Sequence, residues 1–204
     1  MMRKTAVIFI SGGGSNMAAL IEASGDPDYP VEFAAVIADK KDAGGLAKAA
    51  AQGIRTAAFE RRDFASKADH ERAILDLLAE IKPDLICLAG YMRLLSAAFI
   101  SAYEHRIINI HPSLLPLFPG LHTHQRALDA GVKVAGCSVH YVTEGVDEGP
   151  IVAQAVVPVL DGDTAEALAA RVLTAEHQLY KDAVRQVAGG EFTTDGSKRL
   201  FSFG

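Results

Sequence analysis

Short continuous apolar runs alternate with segments of helical periodicity through the first half of the chain. Apolar runs of this length are typical of strands buried on both faces of a sheet. The pattern predicts five such strands, at 5–10, 31–38, 54–59, 85–89 and 106–110. Between them, spacing and capping residues predict helices at 15–23, 44–52, 63–81 and 96–103. Regular alternation of strand and helix predicts an α/β fold with a parallel sheet, right-handed crossovers and helices on both faces.

The pattern changes after Ile110. Prolines at positions 112, 116 and 119 exclude regular helix or strand over residues 111–124. Strands are then predicted at 134–142 and 151–157, and because their connection is too short for a crossover helix we expect an antiparallel addition. A long helix over 164–187, with Thr164 as N-cap, follows, and the tail from residue 189 has no strong pattern. The predicted fold is Rossmann-like: a mostly parallel twisted sheet with an antiparallel C-terminal addition.

Composition narrows the class of protein. The 204 residues contain no internal repeat, low-complexity tract or linker, which favours one domain with halves at 1–110 and 111–188 and a tail at 189–204. The net charge of -5 disfavours nucleic-acid binding, since binders of this size are usually basic.

Cys87 and Cys137, both in apolar runs, indicate reduced thiols in a cytoplasmic protein. No apolar segment approaches the ~20 residues of a membrane span, and the basic residues before the first apolar run precede a strand rather than a signal peptide.

Residues 11–16, Ser-Gly-Gly-Gly-Ser-Asn, follow the first predicted strand and open the first predicted helix. Glycines there let the backbone approach a ligand, and a helix N-terminus attracts phosphate. Ser15 and Asn16 are also suitable N-cap types. The loop lacks the Lys-Ser/Thr of a Walker A motif, and Met17 and Ala18 stand where a dinucleotide loop has its third glycine. Its place at the carboxyl end of a strand favours a phosphate site, the alternative being a turn that needs glycine only for positive φ.

Asn109 and His111 lie at the end of the fifth predicted strand, and the alternation of a strand puts them on one side. An amide can hydrogen-bond a developing oxyanion, and an imidazole can move protons near neutral pH. The pair therefore suits acyl-type chemistry. An acidic loop, 143–150, carries Asp147, which could partner a histidine or simply belong to a solvated turn.

Two other kinds of site are weaker candidates. His122, His124 and His140 could be metal ligands, but no carboxylate pattern completes a site, so we expect no catalytic metal. Ser113 lacks the G-x-S-x-G context of a nucleophilic serine.

Taken in order, the motifs cover residues ~5 to 180 and resemble those of the phosphoribosylglycinamide formyltransferases. The segments that carry the resemblance are Ser11–Asn16, Ala89–Leu95, Asn109–Pro116, Pro119–His124, Ser138–His140 and Asp147–Pro150. The Asn-x-His and Asp set alone would indicate only the wider folate-dependent formyltransferases. The glycine loop and the compact length narrow the resemblance.

The resemblance implies the formyltransferase fold and direct transfer of a formyl group. The donor would be 10-formyltetrahydrofolate, a co-substrate, and the acceptor the amine of glycinamide ribonucleotide, in purine synthesis. No metal, nucleic acid or membrane is implied, and the protein would be a monomer or homodimer.

The resemblance also implies roles for individual residues. The catalytic set would be Asn109, His111 and Asp147, with an aspartate beside the imidazole favouring its protonated form. Ribonucleotide contacts would come from Gly14, Ser15, Asn16 and Glu176. Folate contacts would come from Lys67, Met92, Arg93, Leu94, Leu95, Asn109 and Val142, with the 142–147 loop closing on the pterin. His140 and Ser138 are secondary candidates.

The sequence departs from the family pattern at three positions. Gly13 stands where many relatives have Asn, Lys67 where Arg is common, and Leu173 where some relatives have a polar residue. Lysine keeps the charge of arginine and loses its bidentate fork, so these departures concern affinity rather than reaction type.

Two alternative functions remain open at this point: hydrolysis of 10-formyltetrahydrofolate, and a non-catalytic sensor of a phosphosugar or folate. The phosphate loop argues against the hydrolase, and the Asn109, His111 and Asp147 set argues against the sensor.

Overall fold

A computed structural model of the chain describes residues 3–190 and 199–202. Two compact units make up the chain, Met1–Ile108 and Asn109–Gly204. No helix of the described residues combines the length and the apolar character needed to cross a bilayer.

The first unit is an α/β unit whose strands are parallel. Its elements are β1 (Lys4–Ile10), α1 (Ser15–Ser24), β2 (Val31–Ala38), α2 (Gly44–Ala51), β3 (Arg55–Ala58), a 3-10 turn (Arg61–Asp63), α3 (Lys67–Ile81), β4 (Leu85–Leu88) and α4 (Ala97–Ala102). The strand order is β3-β2-β1-β4, and each neighbouring pair is parallel. β5 (Ile107–His111) begins in this unit and ends in the second. The prediction of a parallel sheet is confirmed.

Buried apolar strands form the centre of the first unit. Residues 6–10 of β1 and 35–38 of β2 are completely buried. This is why both strands appear in the sequence as continuous apolar runs rather than as alternating ones. The polar loops that follow their carboxyl ends are thereby fixed to a rigid base.

The second unit contains the end of β5, α5 (Thr123–Asp129), β6 (Val134–Tyr141), β7 (Ile151–Pro158), α6 (Ala165–Gly189) and β8 (Arg199–Ser202). β6 and β7 are antiparallel, as predicted, and β8 pairs with β7 in parallel. The apolar stripe of α6 packs against β6 and β7. Thr164 caps α6 as predicted, since its hydroxyl accepts from the Ala167 amide at 3.2 Å.

α1 starts at Ser15 as predicted, but its predicted N-cap is wrong, and the predicted start of α3 is wrong. The N-cap of α1 is Gly14, with φ 65°, rather than Ser15 or Asn16, and no cap side chain accepts from the helix. The helix predicted from residue 63 begins at Lys67, because the Ser66 hydroxyl accepts from the Asp69 amide at 3.1 Å and caps it there. At α3 the local cap overrides the apolar periodicity that suggested the earlier boundary.

Two elements were missed besides the 3-10 turn at Arg61–Asp63. α5 is a single short helix directly after the proline-rich segment, where the sequence predicted irregular structure up to residue 124. β8 lies in the tail that showed no strong pattern and pairs with β7. Helices and strands this short are stabilised by packing and pairing rather than by their own periodicity. Residues 191–198 and 203–204 of the tail lie outside the described residues.

Candidate active site

The glycine loop of the first unit is held by α2 and by the segment after β4. The Gly45 amide donates to the Gly12 carbonyl at 3.0 Å, and the Lys48 ammonium donates to the Gly13 carbonyl at 2.8 Å. Ser11 donates its amide to the Gly90 carbonyl, and its hydroxyl accepts from the Met92 amide at 2.8 Å. The loop is therefore fixed before any ligand binds.

Gly14 is required where the loop turns into α1. It has φ 65°, and a Cβ there would lie 3.0 Å from Met17 Cε and 3.1 Å from Gly45 Cα. The Ala18 amide donates to its carbonyl, so the helix starts at the next residue. A helix N-terminus that follows a glycine turn, with no side-chain cap, is an arrangement typical of phosphate sites. Ser15 is exposed and Asn16 is buried in its first turn.

The predicted folate residues of the first unit lie together around one groove. The groove has a volume of about 320 Å³ and includes Lys67 and the whole 92–95 segment. Met92 and Leu94 expose 63% and 68% of their surface, an unusual exposure for two large apolar side chains so close in sequence. These side chains offer an apolar surface to a ligand.

Charged residues line the same groove. Arg93 Nε lies 2.9 Å from Asp39 Oδ2, and the Asp39 carboxylate is buried. Lys67 Nζ lies 3.7 Å from Glu71 Oε1, and Glu71 also accepts hydrogen bonds from the amide and hydroxyl of Ser96. Lys67 is about half exposed, which leaves its ammonium in contact with solvent at the groove. An anionic ligand end could pair with it.

In the second unit, the Asn109 amide is oriented by a buried histidine. Asn109 Nδ2 lies 3.1 Å from His140 Nε2, and His140 Nδ1 lies 2.9 Å from the Tyr141 carbonyl. A carbonyl only accepts, so Nδ1 of His140 carries the hydrogen and Nε2 accepts from Asn109. Burial lowers the pKa of His140, which keeps this neutral tautomer at neutral pH. His140 therefore uses one of the two hydrogens on Asn109 Nδ2.

His111 faces two oxygen acceptors. Its Nδ1 lies 3.4 Å from Asp147 Oδ2, and its Nε2 lies 3.1 Å from the Phe118 carbonyl. Because carbonyl and carboxylate oxygens accept, an imidazole with hydrogen on both nitrogens satisfies both contacts. His111 and Asp147 are both largely buried. The arrangement can hold a positive charge in a partly dry site.

Asp147 lies close to both histidines. Its Oδ2 also accepts from the Gly120 amide at 2.8 Å, and its Oδ1 lies 3.6 Å from His140 Nε2. Asp147 itself has φ 57°, which aspartate tolerates better than most residues. The second unit therefore brings together an amide, two imidazoles and a carboxylate, groups able to stabilise an oxyanion and move protons.

The sequence profile of the formyl transferase family matches residues 4–184. The chain belongs to the formyl transferase family. It is 68% identical to a phosphoribosylglycinamide formyltransferase of Brucella melitensis, whose crystal structure it matches with a TM-score of 0.89 over 94% of this chain and 98% of that one.

Curated relatives agree with this family. The chain is 44% identical to the phosphoribosylglycinamide formyltransferase of Escherichia coli K12, over 90% of this chain and 87% of that protein. It is also 44% identical to the trifunctional purine biosynthetic protein adenosine-3 of Bos taurus, but spans only 18% of that protein's length. The predicted family and the formyltransferase fold are confirmed.

The remaining predicted residues of this formyl transferase take several positions in the second unit. Val142 directly follows β6 and is half-buried at the start of the acidic loop. Glu176 is buried on α6, near enough to Cys137 to add to the rise in that thiol's pKa, which burial causes first. Ser138 is fully buried: its hydroxyl donates to the Ser113 carbonyl and accepts from the Leu115 amide. These contacts give Ser138 a role in holding the 113–115 backbone.

His122 and His124 sit at the start of α5. His122 is its N-cap, with φ 57°, and His124 is half-buried, where burial and then the nearby His111 lower its pKa. Among residues 3–190 and 199–202, no three His, Cys, Asp or Glu side chains are grouped so that they could hold a metal ion.

Sequence reasoning missed two groups of the site. Lys48 reaches the glycine loop from α2, and only its helical position after a Gly-Gly pair could have suggested this. The Gly120 amide reaches Asp147 across 27 residues, and the Pro-Gly turn was its only local sign.

Proposed function

We propose that this protein transfers the formyl group of 10-formyltetrahydrofolate to the amine of 5-phosphoribosylglycinamide. The observation that carries the proposal is the close grouping of Asn109, His111, His140 and Asp147 in a member of the formyl transferase family. The products are formylglycinamide ribonucleotide and tetrahydrofolate.

The acceptor's phosphate binds the glycine loop. The fixed backbone of residues 12–14, the start of α1 and the ammonium of Lys48 all favour a dianion there. Ser15 and Asn16 supply the polar groups of the first helical turn. The trifunctional relatives are named for purine biosynthesis, and the bacterial relatives are named for phosphoribosylglycinamide. Both names support this acceptor.

The formyl donor uses the groove lined by Lys67 and residues 92–95. Exposed Met92 and Leu94 suit the aromatic part of a folate, and the Lys67 ammonium suits its glutamate carboxylates. Lysine pairs with a carboxylate as a point charge without the fixed geometry of arginine, so this contact tolerates different tail positions.

The chemistry is a direct acyl transfer. The acceptor amine attacks the formyl carbon, a C–N bond forms, and the formyl oxygen takes up negative charge. The Asn109 amide hydrogen and the protonated imidazole of His111 stabilise that oxygen. The protonated His111 gives a proton to the folate nitrogen as the bond from the formyl carbon to that nitrogen breaks. The neutral imidazole then takes up the proton that the amine loses, directly or through a bound water, which restores His111. Asp147 compensates the charge on His111 while the ring is protonated.

A deformylation assay tests this function against the two alternatives. The protein is mixed with 10-formyltetrahydrofolate, and release of tetrahydrofolate is followed spectrophotometrically with and without glycinamide ribonucleotide. Deformylation that depends on the ribonucleotide, with formylglycinamide ribonucleotide as product, supports the transferase. Deformylation at the same rate without it indicates a hydrolase on this scaffold. No deformylation in either mixture, with binding of the ribonucleotide retained, indicates a sensor.

Replacing Lys48 with methionine should raise the KM for glycinamide ribonucleotide about five- to tenfold and leave kcat within about twofold. The ammonium holds the Gly13 carbonyl and adds a positive charge beside the proposed phosphate site, and both effects act equally on bound substrate and transition state. Steady-state kinetics with varied ribonucleotide measures the change. Lys133→Met removes the same charge from an exposed position of the second unit and serves as the control. Equal KM values for the two variants would contradict the role of Lys48.

A further inference from the structure

Residues 118–121 form a short backbone segment that touches both His111 and Asp147. The Phe118 carbonyl accepts from His111 Nε2 at 3.1 Å, and the Gly120 amide donates to Asp147 Oδ2 at 2.8 Å. One segment thus binds each member of the imidazole–carboxylate pair. Its position decides how the two side chains face each other.

The conformation of this segment is unfavourable when considered alone. Phe118 has φ 55°, and His122, which follows the segment, has φ 57°. The left-handed region is disfavoured for a bulky residue such as phenylalanine. Backbone conformations of this kind persist where surrounding contacts determine them. The segment therefore depends on contacts from outside itself.

Arg126 supplies three such contacts. Its Nη1 donates to the Pro119 carbonyl and, at 3.3 Å, to the Leu121 carbonyl. Its guanidinium carbon lies 5.6 Å from the centre of the Phe118 ring, within the range of a cation–π contact. Arg126 belongs to α5, and its own amide donates to the His122 carbonyl at 3.0 Å. A single planar guanidinium therefore touches three of the four residues.

We propose that Arg126 is a positioning residue for formyl transfer. Acting through residues 118–121, it fixes the direction of the Phe118 carbonyl and the Gly120 amide, and so the relative placement of His111 and Asp147. The proposal rests on the proposed function for its effect on rate. It does not rest on that function for its effect on the His111 ring.

Arg126 contacts the segment that orients His111 and Asp147, so its loss should slow the chemical step rather than weaken substrate binding. We expect Arg126→Met to lower kcat about 10- to 100-fold while both KM values stay within about twofold, since small misplacements of reacting groups cost rates of this size. Arg126→Lys keeps the charge and one donor but loses the planar fork, and should recover part of the rate. Gln125→Met alters the neighbouring residue of α5, whose side-chain amide donates to Asp129, and should match the wild type.

Steady-state kinetics on the wild type and the Arg126→Met, Arg126→Lys and Gln125→Met variants tests whether Arg126 positions the catalytic pair. Equal kcat for Arg126→Met and the wild type would overturn the proposal. So would a loss of kcat accompanied by an equal rise in both KM values, or a lysine variant no better than the methionine one. The lysine variant also keeps the test valid if the methionine variant fails to fold.

The His111 ring gives a measurement that needs no activity. In protein with ¹⁵N-labelled histidine, the ring nitrogen resonances of His111 should shift in Arg126→Met and stay in place in Gln125→Met. Unchanged His111 resonances in Arg126→Met would overturn the positioning role. If the wild-type protein transfers no formyl group, the proposed function fails, and this measurement still decides whether Arg126 positions His111.

Discussion

His111→Asn is expected to lower kcat about 10³-fold and to leave the KM for glycinamide ribonucleotide within about twofold. Asparagine can still donate a hydrogen bond toward Asp147 from about the position of Nδ1. It cannot carry a proton or a positive charge. The change therefore removes the proton carrier and one of the two groups proposed to stabilise the oxyanion, while the glycine loop, which belongs to the first unit, is unaltered.

The expected loss can be separated from a general effect of removing a histidine. His105→Asn makes the same exchange at an exposed residue of the first unit, where φ 57° is a conformation that asparagine accepts. It should retain wild-type kcat. Stopped-flow single turnover on both variants would show whether the chemical step is the slowed one. A His111→Asn enzyme within tenfold of the wild-type kcat would exclude His111 as the proton carrier of this reaction.

The strands of the first unit were predictable because burial on both faces leaves a direct record in the sequence. Val31–Ala38 is apolar at nearly every position, and its predicted ends coincide with those of β2. Helix ends were less predictable. At Ser66 a hydroxyl caps α3 and sets its start, and at Gly14 a left-handed residue takes the N-cap position of α1 that the sequence assigned to Ser15 or Asn16. Neither effect alters apolar periodicity.

The short elements near the C-terminus could not be predicted for a related reason. α5 has seven residues, of which only Thr123 and Ala127 are buried, so its periodicity is minimal. β8 depends on pairing with β7, and pairing across the chain leaves no local pattern. What stabilises both elements lies elsewhere in the sequence.

In the candidate site, too, residues marked by a local pattern were predictable, and residues that depend on distant contacts were not. Asn109 and His111 were identifiable because they alternate at the end of one strand, and their spacing alone puts them on one side. Asp147 lies near His111 and His140, from which it is separated by 36 and 7 positions. The acidic loop suggested only that Asp147 could partner a histidine, the resemblance placed it beside His111, and nothing in the sequence placed it near His140. The parts that were missed, Lys48 and the 118–121 segment, act through backbone carbonyls and amides. Backbone groups are common to all residues, so the sequence does not mark the ones that a site uses.

Asn109→Ala should lower kcat about 10²- to 10³-fold, the size of effect found when one oxyanion donor is removed. The donor must be aimed at the place where charge develops. Here the aim comes from His140, which as a neutral ring accepts one hydrogen of the Asn109 amide at 3.1 Å. Single-turnover formyl transfer measures the loss, and the KM for the ribonucleotide should stay within about twofold.

Asn109→Asp distinguishes a donor from a side chain that merely fills space. Aspartate has nearly the same shape, but it replaces the donor with a carboxylate that repels an oxyanion. The new carboxylate would also face His140 Nε2, a nitrogen that carries no hydrogen in the neutral ring. A carboxylate at that place favours protonation of His140, whereas burial lowers the pKa of this ring and opposes it. We therefore expect Asn109→Asp to lose at least as much kcat as Asn109→Ala. If instead the aspartate variant were the more active of the two, shape rather than hydrogen donation would be the contribution of Asn109, and the oxyanion would depend on His111 alone.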